Sequence, residues 1–390
     1  PSMTEDSIEN TANDGANNEA KAFAWAITLS LILPIFLGLF ARPVVSILRF
    51  VFWVTVLTLP VTIFFRMIWE WTNENEPVFR ILVKNACKYL RPIPPGVVYS
   101  GEMKITGLPV VTFFIISVNT VIFLIVPSTK EALGPFVFLP TGDPGLSQII
   151  LSVFTSAFLH AGFQHLAMNM FFFVGIGSAL EPRLGSWQFA AWYLAAIIGA
   201  ALLDIILLCV QAFSMSDAGV ITNFHSLGAS GAVSGIMGLF VVRCYFARIS
   251  MSVPMLILPL PKTVAAMLSF PLRMQAPMLA GLYFAMDIGG SMDQFAGEGH
   301  VDHWAHVGGY LTCLLGGIAL KLHHQAGEDT ARTRAGRLSK GEFDRVDAEF
   351  HYKRVLETSP NDVEALTFLF SIASMRGVDV AGPWFARLVR

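Results

Sequence analysis

The chain has 390 residues, of which 54% are apolar and only 14% are charged, and its formal net charge is -2. Soluble domains carry roughly 25% charged residues, so this composition, with a mean hydropathy of +0.60, excludes an ordinary soluble domain. No basic block indicates nucleic-acid binding, and the four cysteines show neither C-x-x-C spacing nor a paired framework. The composition predicts a multi-pass protein of the lipid bilayer.

Uncharged runs of about 20 residues, the length that crosses a bilayer, recur along the chain. They predict spans near 23–41, 50–69, 108–127, 162–180, 188–210, 228–247, 275–291 and 303–320. The stretch 23–69 forms either a helical hairpin or one span followed by an interfacial helix. We expect a disordered acidic N-terminus over 1–22, without the features of a secretory or transit peptide. A cytoplasmic or interfacial linker then covers 70–107.

The distribution of lysine and arginine predicts the orientation of the helical core, 108–320. The loop 66–107 carries six of these residues, whereas 128–161 carries only Lys130. Cytoplasmic loops are enriched in Lys and Arg, so the linker and the tail 321–390 are expected in the cytoplasm. The outer ends of the helices that begin near 228 and 303 then face away from the cytoplasm.

The tail is polar and contains two predicted short helices within 341–375, on either side of a turn at Ser359-Pro360-Asn361-Asp362. Their apolar positions are typical of one tetratricopeptide-type helical pair, although a plain amphipathic hairpin fits the pattern as well. One such pair cannot bury its own apolar face. We therefore expect neighbouring structure, or a soluble protein partner, to cover it.

The string Gly228-Ala229-Ser230-Gly231 opens the hydrophobic stretch that begins near 228. A helix N-terminus offers unpaired backbone N–H groups and the positive end of the helix dipole to a developing oxyanion. Gly235 and Gly238 continue a smooth helix face after Gly231, which allows close helix packing. The string also fits a mere packing motif with an incidental serine.

A matching strip begins at Ala305-His306-Val307-Gly308-Gly309 and continues through Cys313. Contact between the two smooth faces would bring the His306 imidazole towards the Ser230 hydroxyl. A serine with an adjacent general base is the minimal arrangement for nucleophilic attack on a carbonyl. The pair predicts a serine hydrolase within the membrane.

A third group is His160, His165 and Asn169. His165 and Asn169 are four residues apart and share a helix face, where they can donate hydrogen bonds to an oxyanion. His160 is rotated away from them or precedes the helix. A metal site of His160, His165 and His306 is the competing interpretation, which the helical angle and the lack of a nearby carboxylate disfavour.

Taken in order, these motifs and Glu181-Pro182-Arg183-Leu184-Gly185 resemble the rhomboid family of intramembrane serine proteases over about 108–320. The resemblance implies an all-α, polytopic membrane bundle with a six-helix core. The uncharged runs and the tail pattern add one or two extra N-terminal membrane segments and a short helical cytoplasmic tail. The resemblance also implies a catalytic dyad without an acidic member and an oxyanion hole, with several structural residues around them. These are Ser230 as nucleophile, His306 as base, His165 and Asn169 with the Ser230 N–H as oxyanion donors, and His160, Glu181, Arg183, Gly228, Gly231 and Gly309 as network or packing residues.

The chain differs from the pattern of the rhomboid family in three places. Many members carry a Trp-Arg pair in the first outer loop, which 128–147 lacks. Ser234 stands where some members stack an aromatic ring on the catalytic histidine, so another group must orient His306. Cys313 replaces a glycine, which should loosen the helix packing slightly.

Other polar residues of the membrane segments carry weaker expectations. We interpret Asp204 and Asp287 mainly as hydrogen-bonded or helix-end carboxylates. Asp302 is interpreted as a residue at the membrane interface rather than as a third catalytic residue. Around the fifth core helix, Phe284, Met292 and Phe295 fit either a flexible substrate gate or ordinary lipid-facing packing.

The expected function is hydrolysis of peptide bonds in or near the transmembrane helices of single-span or multi-span membrane proteins, without cofactor or metal. The alternatives are an inactive rhomboid-like protein that binds membrane clients and a transporter or channel. Polar groups of a transporter should run across the membrane depth, whereas these cluster near one face. A bacterial plasma membrane is the expected location, with a mitochondrial inner membrane left open.

Overall fold

The computed structural model describes residues 20–40, 108–126, 145–214, 227–254, 269–295, 301–329 and 345–389, with parts of 129–138. The predicted segment at 50–69 and the linker 70–107 lie outside the described residues, as do residues 1–19 of the N-terminus.

The described part of the chain is a helical membrane bundle with one short β-hairpin. Its helices are α1 (Ala20–Phe40), α2 (Val110–Ile125), α3 (Leu146–Ser156), α4 (Phe163–Leu184), α5 (Ser186–Ser214), α6 (Ser230–Arg243), α7 (Ala276–Phe295), α8 (His303–Ala319), α9 (Leu322–Asp329), α10 (Arg345–Thr358), α11 (Val363–Arg376) and α12 (Val378–Leu388). The hairpin pairs β1 (Arg248–Pro254) antiparallel with β2 (Ser269–Gln275). The all-α polytopic class predicted from the sequence is confirmed.

Some of these helices are, taken singly, long and apolar enough to be membrane spans. The N-terminal helix α1, α4 and the part of α5 up to Val210 are long and apolar enough to cross a bilayer. The bent pair α8 and α9, with an angle of 74° between them, qualifies as a fourth span when taken together. The shorter apolar helices α2 and α6 match the predicted spans 108–127 and 228–247 in position, and α7 matches the predicted span 275–291.

Two elements differ from the expectation of loops. Helix α3 forms within the predicted loop 128–161, and the β-hairpin forms within the predicted loop 248–274. Leu146, Ile150 and Leu151 of α3 are more than half exposed. An apolar face left open in this way fits a helix that lies against lipid, which a count of uncharged residues does not detect.

Helix α6 lies at the centre of the bundle. Every residue from Gly231 to Arg243 is buried, and the helix packs against α4, α5, α7 and α8. A helix that is apolar all round is expected to be enclosed by other helices. The position of α6 places its first residue, Ser230, where several other helices meet.

Glycines permit close backbone contact between α6 and α8. A Cβ on Gly309 would lie 2.0 Å from the carbonyl oxygen of Gly231, and a Cβ on Gly235 would lie 3.0 Å from the carbonyl oxygen of Gly309. Backbones that approach this closely leave no room for a side chain. The contact between the two small-residue strips is therefore the one expected from the sequence, with Cys313 fully buried beside it.

Helix α1 packs along α7, on the outside of the core. A Cβ on Gly281 would lie 2.0 Å from the carbonyl oxygen of Leu29. This carbonyl belongs to the π-helical turn Thr28–Ile32, and the next one, of Ser30, accepts a hydrogen bond of 2.9 Å from the Tyr310 hydroxyl. Widened turns of this type often occur at sites of specific contact, and here the turn ties α1 to both α7 and α8.

The tail forms a three-helix unit rather than the predicted pair. The positions expected to be apolar and inward-facing (Ala348, Tyr352, Leu356, Ala365 and Leu366) are all buried. Helix α12 packs on α11, and its Trp384 and Leu388 contact the cluster that the first two helices form. This third helix supplies part of the cover that one helical pair lacks.

Candidate active site

Ser230 is the first residue of α6 and is partly exposed. It lines a small cavity together with Phe138, Ile197, Asp204 and Ala305. The backbone N–H groups of the first turn of a helix have no partner within the helix. Ser230 thus presents a hydroxyl to a cavity at the positive end of a buried helix.

His306 lies in the first turn of α8, and the glycine contact of that helix with α6 brings it to the Ser230 end of the bundle. Its side chain is buried, and its Nδ1 lies 2.7 Å from Oδ1 of Asp287 on α7. Its Nε2 is buried and has no hydrogen-bond partner among the described residues, Ser230 included. Catalytic hydrogen bonds are often long in the absence of substrate, so this geometry is compatible with a base that awaits its reaction partner.

Asp287 is the centre of a cluster that the sequence does not reveal. It is 3% exposed, and the same Oδ1 also lies 2.9 Å from Nδ1 of His303. The three residues each offer one potential ligand atom within 4.8 Å of the others. The cluster differs from the metal site considered from the sequence, since it contains neither His160 nor His165.

His165, one of the two expected oxyanion donors on α4, borders the space beside Ser230. A Cβ on Gly228 would lie 2.8 Å from Nε2 of His165 and 3.6 Å from the Ser230 hydroxyl oxygen, so both groups border the same small space. Gly228 has φ +125°, which side-chain-bearing residues rarely adopt. Asn169, one turn after His165, is buried, and its Nδ2 has no partner among the described residues.

His160 precedes α4, which agrees with the second of the two positions considered from the sequence. It is 2% exposed, and its ring lies edge-on to that of His165, with 5.0 Å between centroids. Burial lowers the pKa of His160 to about 3, with the neighbouring His165 acting in the same direction. The imidazole is therefore neutral at physiological pH and fits a supporting position beside His165.

Glu181 fastens the start of α2 to the end of α4. Its carboxylate accepts hydrogen bonds from the backbone N–H groups of Val111 and Thr112, from the Thr112 hydroxyl and from the Ser186 hydroxyl, at 2.6–2.9 Å. A negative charge at a helix N-terminus is favourable, and Glu181 satisfies two of the free N–H groups of α2. Arg183 donates to a backbone carbonyl of its own helix one turn earlier.

The remaining polar and aromatic candidates take structural positions. Asp302 caps α8 by accepting from the Ala305 N–H, and it also bonds Gln294. Phe284 is 1% exposed and stacks on Tyr310, so it is a core residue rather than a gate or lipid-facing one. Met292 is partly buried, and the side chain of Phe295 lies outside the described residues.

The sequence analysis named Asp287 as a hydrogen-bonded or helix-end carboxylate but did not predict its contacts with His303 and His306. The available signal was a carboxylate inside an otherwise uncharged stretch, which is by default a functional hypothesis in a membrane segment. Its partner could not be named, because the pairing depends on how α7 and α8 pack. The departure at Ser234 indicated only that some group must orient His306.

Comparison with known proteins places these motifs in one family. Residues 148–322 match the family model described as the Rhomboid domain. "RHOMBOID-like protein 6, mitochondrial" of Arabidopsis thaliana is 28% identical over 178 residues, which cover 46% of each protein. "Rhomboid protein 1, mitochondrial" of Saccharomyces cerevisiae is 33% identical over 90 residues, which cover 23% of this chain and 24% of the yeast protein. The chain spans less than half the length of each of these curated relatives.

Proposed function

We propose that this rhomboid-family protein, whose rhomboid domain occupies residues 148–322, is an intramembrane serine endopeptidase. The observation that supports this activity best is the glycine contact between α6 and α8, which joins the helix that begins at Ser230 to the helix that carries His306. Both reacting groups and both oxyanion donors expected of an active member are present. The inactive, client-binding alternative has no such observation in its favour.

In the acylation step the Ser230 hydroxyl attacks the carbonyl carbon of the substrate peptide bond, and its proton passes to Nε2 of His306. The carbonyl π electrons move to oxygen and form a tetrahedral oxyanion. As the intermediate collapses, Nε2 gives the proton to the departing amide nitrogen. An amine product leaves, and the remaining acyl group forms an ester with Ser230.

The developing oxyanion needs donors placed before the reaction begins. His165, Asn169 and the backbone N–H of Ser230 would supply them. The assignment is supported by Nδ2 of Asn169, which is buried and has no hydrogen-bond partner in the described part of the chain. Loss of one such donor costs on the order of 10²–10³ in kcat. Gly228 contributes by leaving the space between His165 and Ser230 open.

Deacylation reverses the roles with water as the nucleophile. Nε2 of His306 takes a proton from the water as its oxygen attacks the ester carbonyl, and then returns the proton to the Ser230 oxygen as the ester bond breaks. Water must therefore reach a site enclosed by apolar helices. The cavity that Ser230 and Asp204 line is the proposed position of this water, because it adjoins the serine and has a polar carboxyl group in its wall.

The proposed substrates are membrane proteins whose transmembrane helices enter the bundle from the bilayer. A helical peptide bond has its carbonyl engaged in a hydrogen bond, so the substrate must unwind locally before attack. Residues of low helix propensity near the cut would ease this step. We expect the site to open on the side of the membrane opposite the Lys- and Arg-rich loops, as the distribution of these residues indicates.

We propose a mitochondrial membrane as the location. Both relatives carry the word mitochondrial in their names. The bacterial plasma membrane expected from the sequence finds no support in these relatives. The apolar helices establish a membrane protein in either case.

Cleavage of a fluorescently tagged single-span protein in liposomes tests the function. The full chain should cut within or beside the transmembrane helix of the substrate, whereas Ser230→Ala should be inactive, because it lacks the attacking oxygen. Circular dichroism and thermal melting should show both proteins folded alike. Equal cleavage by both proteins, or none by the parent across several unrelated substrates, would contradict the proposal.

A further inference from the structure

Two histidines direct the same ring nitrogen at one carboxylate oxygen. Nδ1 of His306 lies 2.7 Å, and Nδ1 of His303 2.9 Å, from Oδ1 of Asp287. A single proton on Oδ1 could serve only one of the rings, whereas an ionised carboxylate accepts from both. Both contacts are hydrogen bonds only if each Nδ1 carries a proton and Asp287 is ionised.

This assignment also determines the protonation of the other ring nitrogen of His306, Nε2. With the proton on Nδ1, the neutral ring carries its lone pair on Nε2. That atom is buried and has no hydrogen-bond partner among the described residues. It is the atom that must accept the Ser230 proton in the mechanism above.

We infer that Asp287 is a positioning residue for His306, which makes the site an Asp287–His306–Ser230 arrangement rather than the two-residue dyad that the family resemblance implies. The inference rests on the proposed function. Asp287 holds the imidazole in the orientation and tautomer that accept a proton, and its charge stabilises the imidazolium that forms. The proton on Nδ1 stays on His306 throughout.

The neighbouring residues explain why this chain needs such a contact. Some members of the rhomboid family carry an aromatic ring at the α6 position of Ser234, where it stacks on the catalytic histidine; serine at this position cannot orient His306 in that way. One turn further along the same interface, Phe284 of α7 stacks on Tyr310 of α8 with 4.3 Å between centroids and 18° between planes. This buried stack packs the helix that carries Asp287 against the helix that carries His306.

A metal ion explains the three residues less well. Tetrahedral zinc with bonds of about 2.0–2.1 Å to N and O atoms keeps neighbouring ligand atoms roughly 3.3 Å apart. The observed separations of 2.7 and 2.9 Å are those of charge-assisted hydrogen bonds. The two rings and the carboxylate therefore pair with each other directly.

The test is the rate at which a fluorophosphonate probe labels Ser230 in the full chain, for the parent and Asp287→Asn. This probe needs an activated serine but no particular peptide sequence. We expect Asp287→Asn to label at least about 100-fold more slowly, since the same change costs about 10⁴-fold in soluble serine proteases. Asp287→Glu, which restores the charge, should label faster than Asp287→Asn.

The final fraction of labelled protein distinguishes a misoriented His306 from a misfolded protein. Misfolding would lower the final fraction of labelled protein, whereas a misoriented base lowers the rate constant and leaves the final fraction unchanged. Ser291→Ala is the matched control, because Ser291 is a fully buried polar residue of the same helix whose hydroxyl donates to the Ile288 carbonyl, away from the Asp287 cluster. This variant should label at the parent rate.

Three results would overturn the inference. A parent-like rate in Asp287→Asn would remove the role of Asp287 and leave the proposed function intact. A rate in the parent that changes with a chelator or added zinc would assign the cluster to a metal. A parent that folds but never labels would overturn the proposed function itself, and the inference with it.

Discussion

His306→Ala should lower kcat for cleavage of a membrane substrate on the order of 10⁶-fold, the loss seen when a soluble serine protease loses its base. Without the imidazole, the Ser230 proton has no acceptor and the leaving nitrogen has no donor. The fold should persist, because Asp287 keeps His303 as a hydrogen-bond donor at 2.9 Å. Cleavage in liposomes, with melting temperatures measured in parallel, checks both statements.

His303→Ala is the matched control for this prediction. His303 lies one turn earlier on the same helix and bonds the same carboxylate oxygen through the same ring nitrogen. Its removal should cost only a small part of the activity, since His306 alone carries the proton to and from Ser230. An inactive His303→Ala beside an active His306→Ala would show that the base has been assigned to the wrong histidine.

Gly309→Ala should both destabilise the bundle and abolish cleavage. The added Cβ would lie 2.0 Å from the Gly231 carbonyl oxygen and 2.9 Å from its carbon, and a backbone atom cannot turn aside as a side chain can. Overpacking in a core typically costs about 1–3 kcal/mol, and a backbone clash at the centre of the bundle should reach or exceed the upper end. The helices must separate, which moves His306 away from Ser230.

Thermal melting and cleavage assays of Gly309→Ala test this prediction together. Gly382→Ala provides the control, because a Cβ there would meet no atom within 4 Å, and alanine favours a helix over glycine. This tail variant should keep the parent's melting temperature and activity. If Gly309→Ala melted and cleaved like the parent, the close contact of α6 with α8 would not be what joins the two reacting groups.

The fold could be predicted largely from one property of the sequence, the length of its uncharged runs. That property located the helices that carry the site, because a bilayer requires an apolar helix of fixed length. It could not locate α3, whose 11 residues are too few to span, or the β-hairpin, which contains charged and polar residues. It also missed α12, where Gly382 and Pro383 disfavour a helix but lie within one.

The candidate site was predictable only where its residues belong to motifs near helix ends. Ser230, His306, His165 and Asn169 each stand in a short motif of their own helix. The contact of Asp287 with His306 joins residues from two helices, and nothing within either helix predicts the other. Such a pairing follows from the packing of α7 on α8, which a single sequence does not encode in a readable pattern.

Mapping of the fluorophosphonate adduct in the full, liposome-embedded chain tests the central claim most directly. Attack by an activated serine displaces fluoride and leaves a stable phosphonate ester, which peptide mass spectrometry assigns to one residue. The account predicts a single adduct on Ser230 that is absent from His306→Ala. An adduct on another serine such as Ser234, or unchanged labelling of Ser230 without His306, would contradict it.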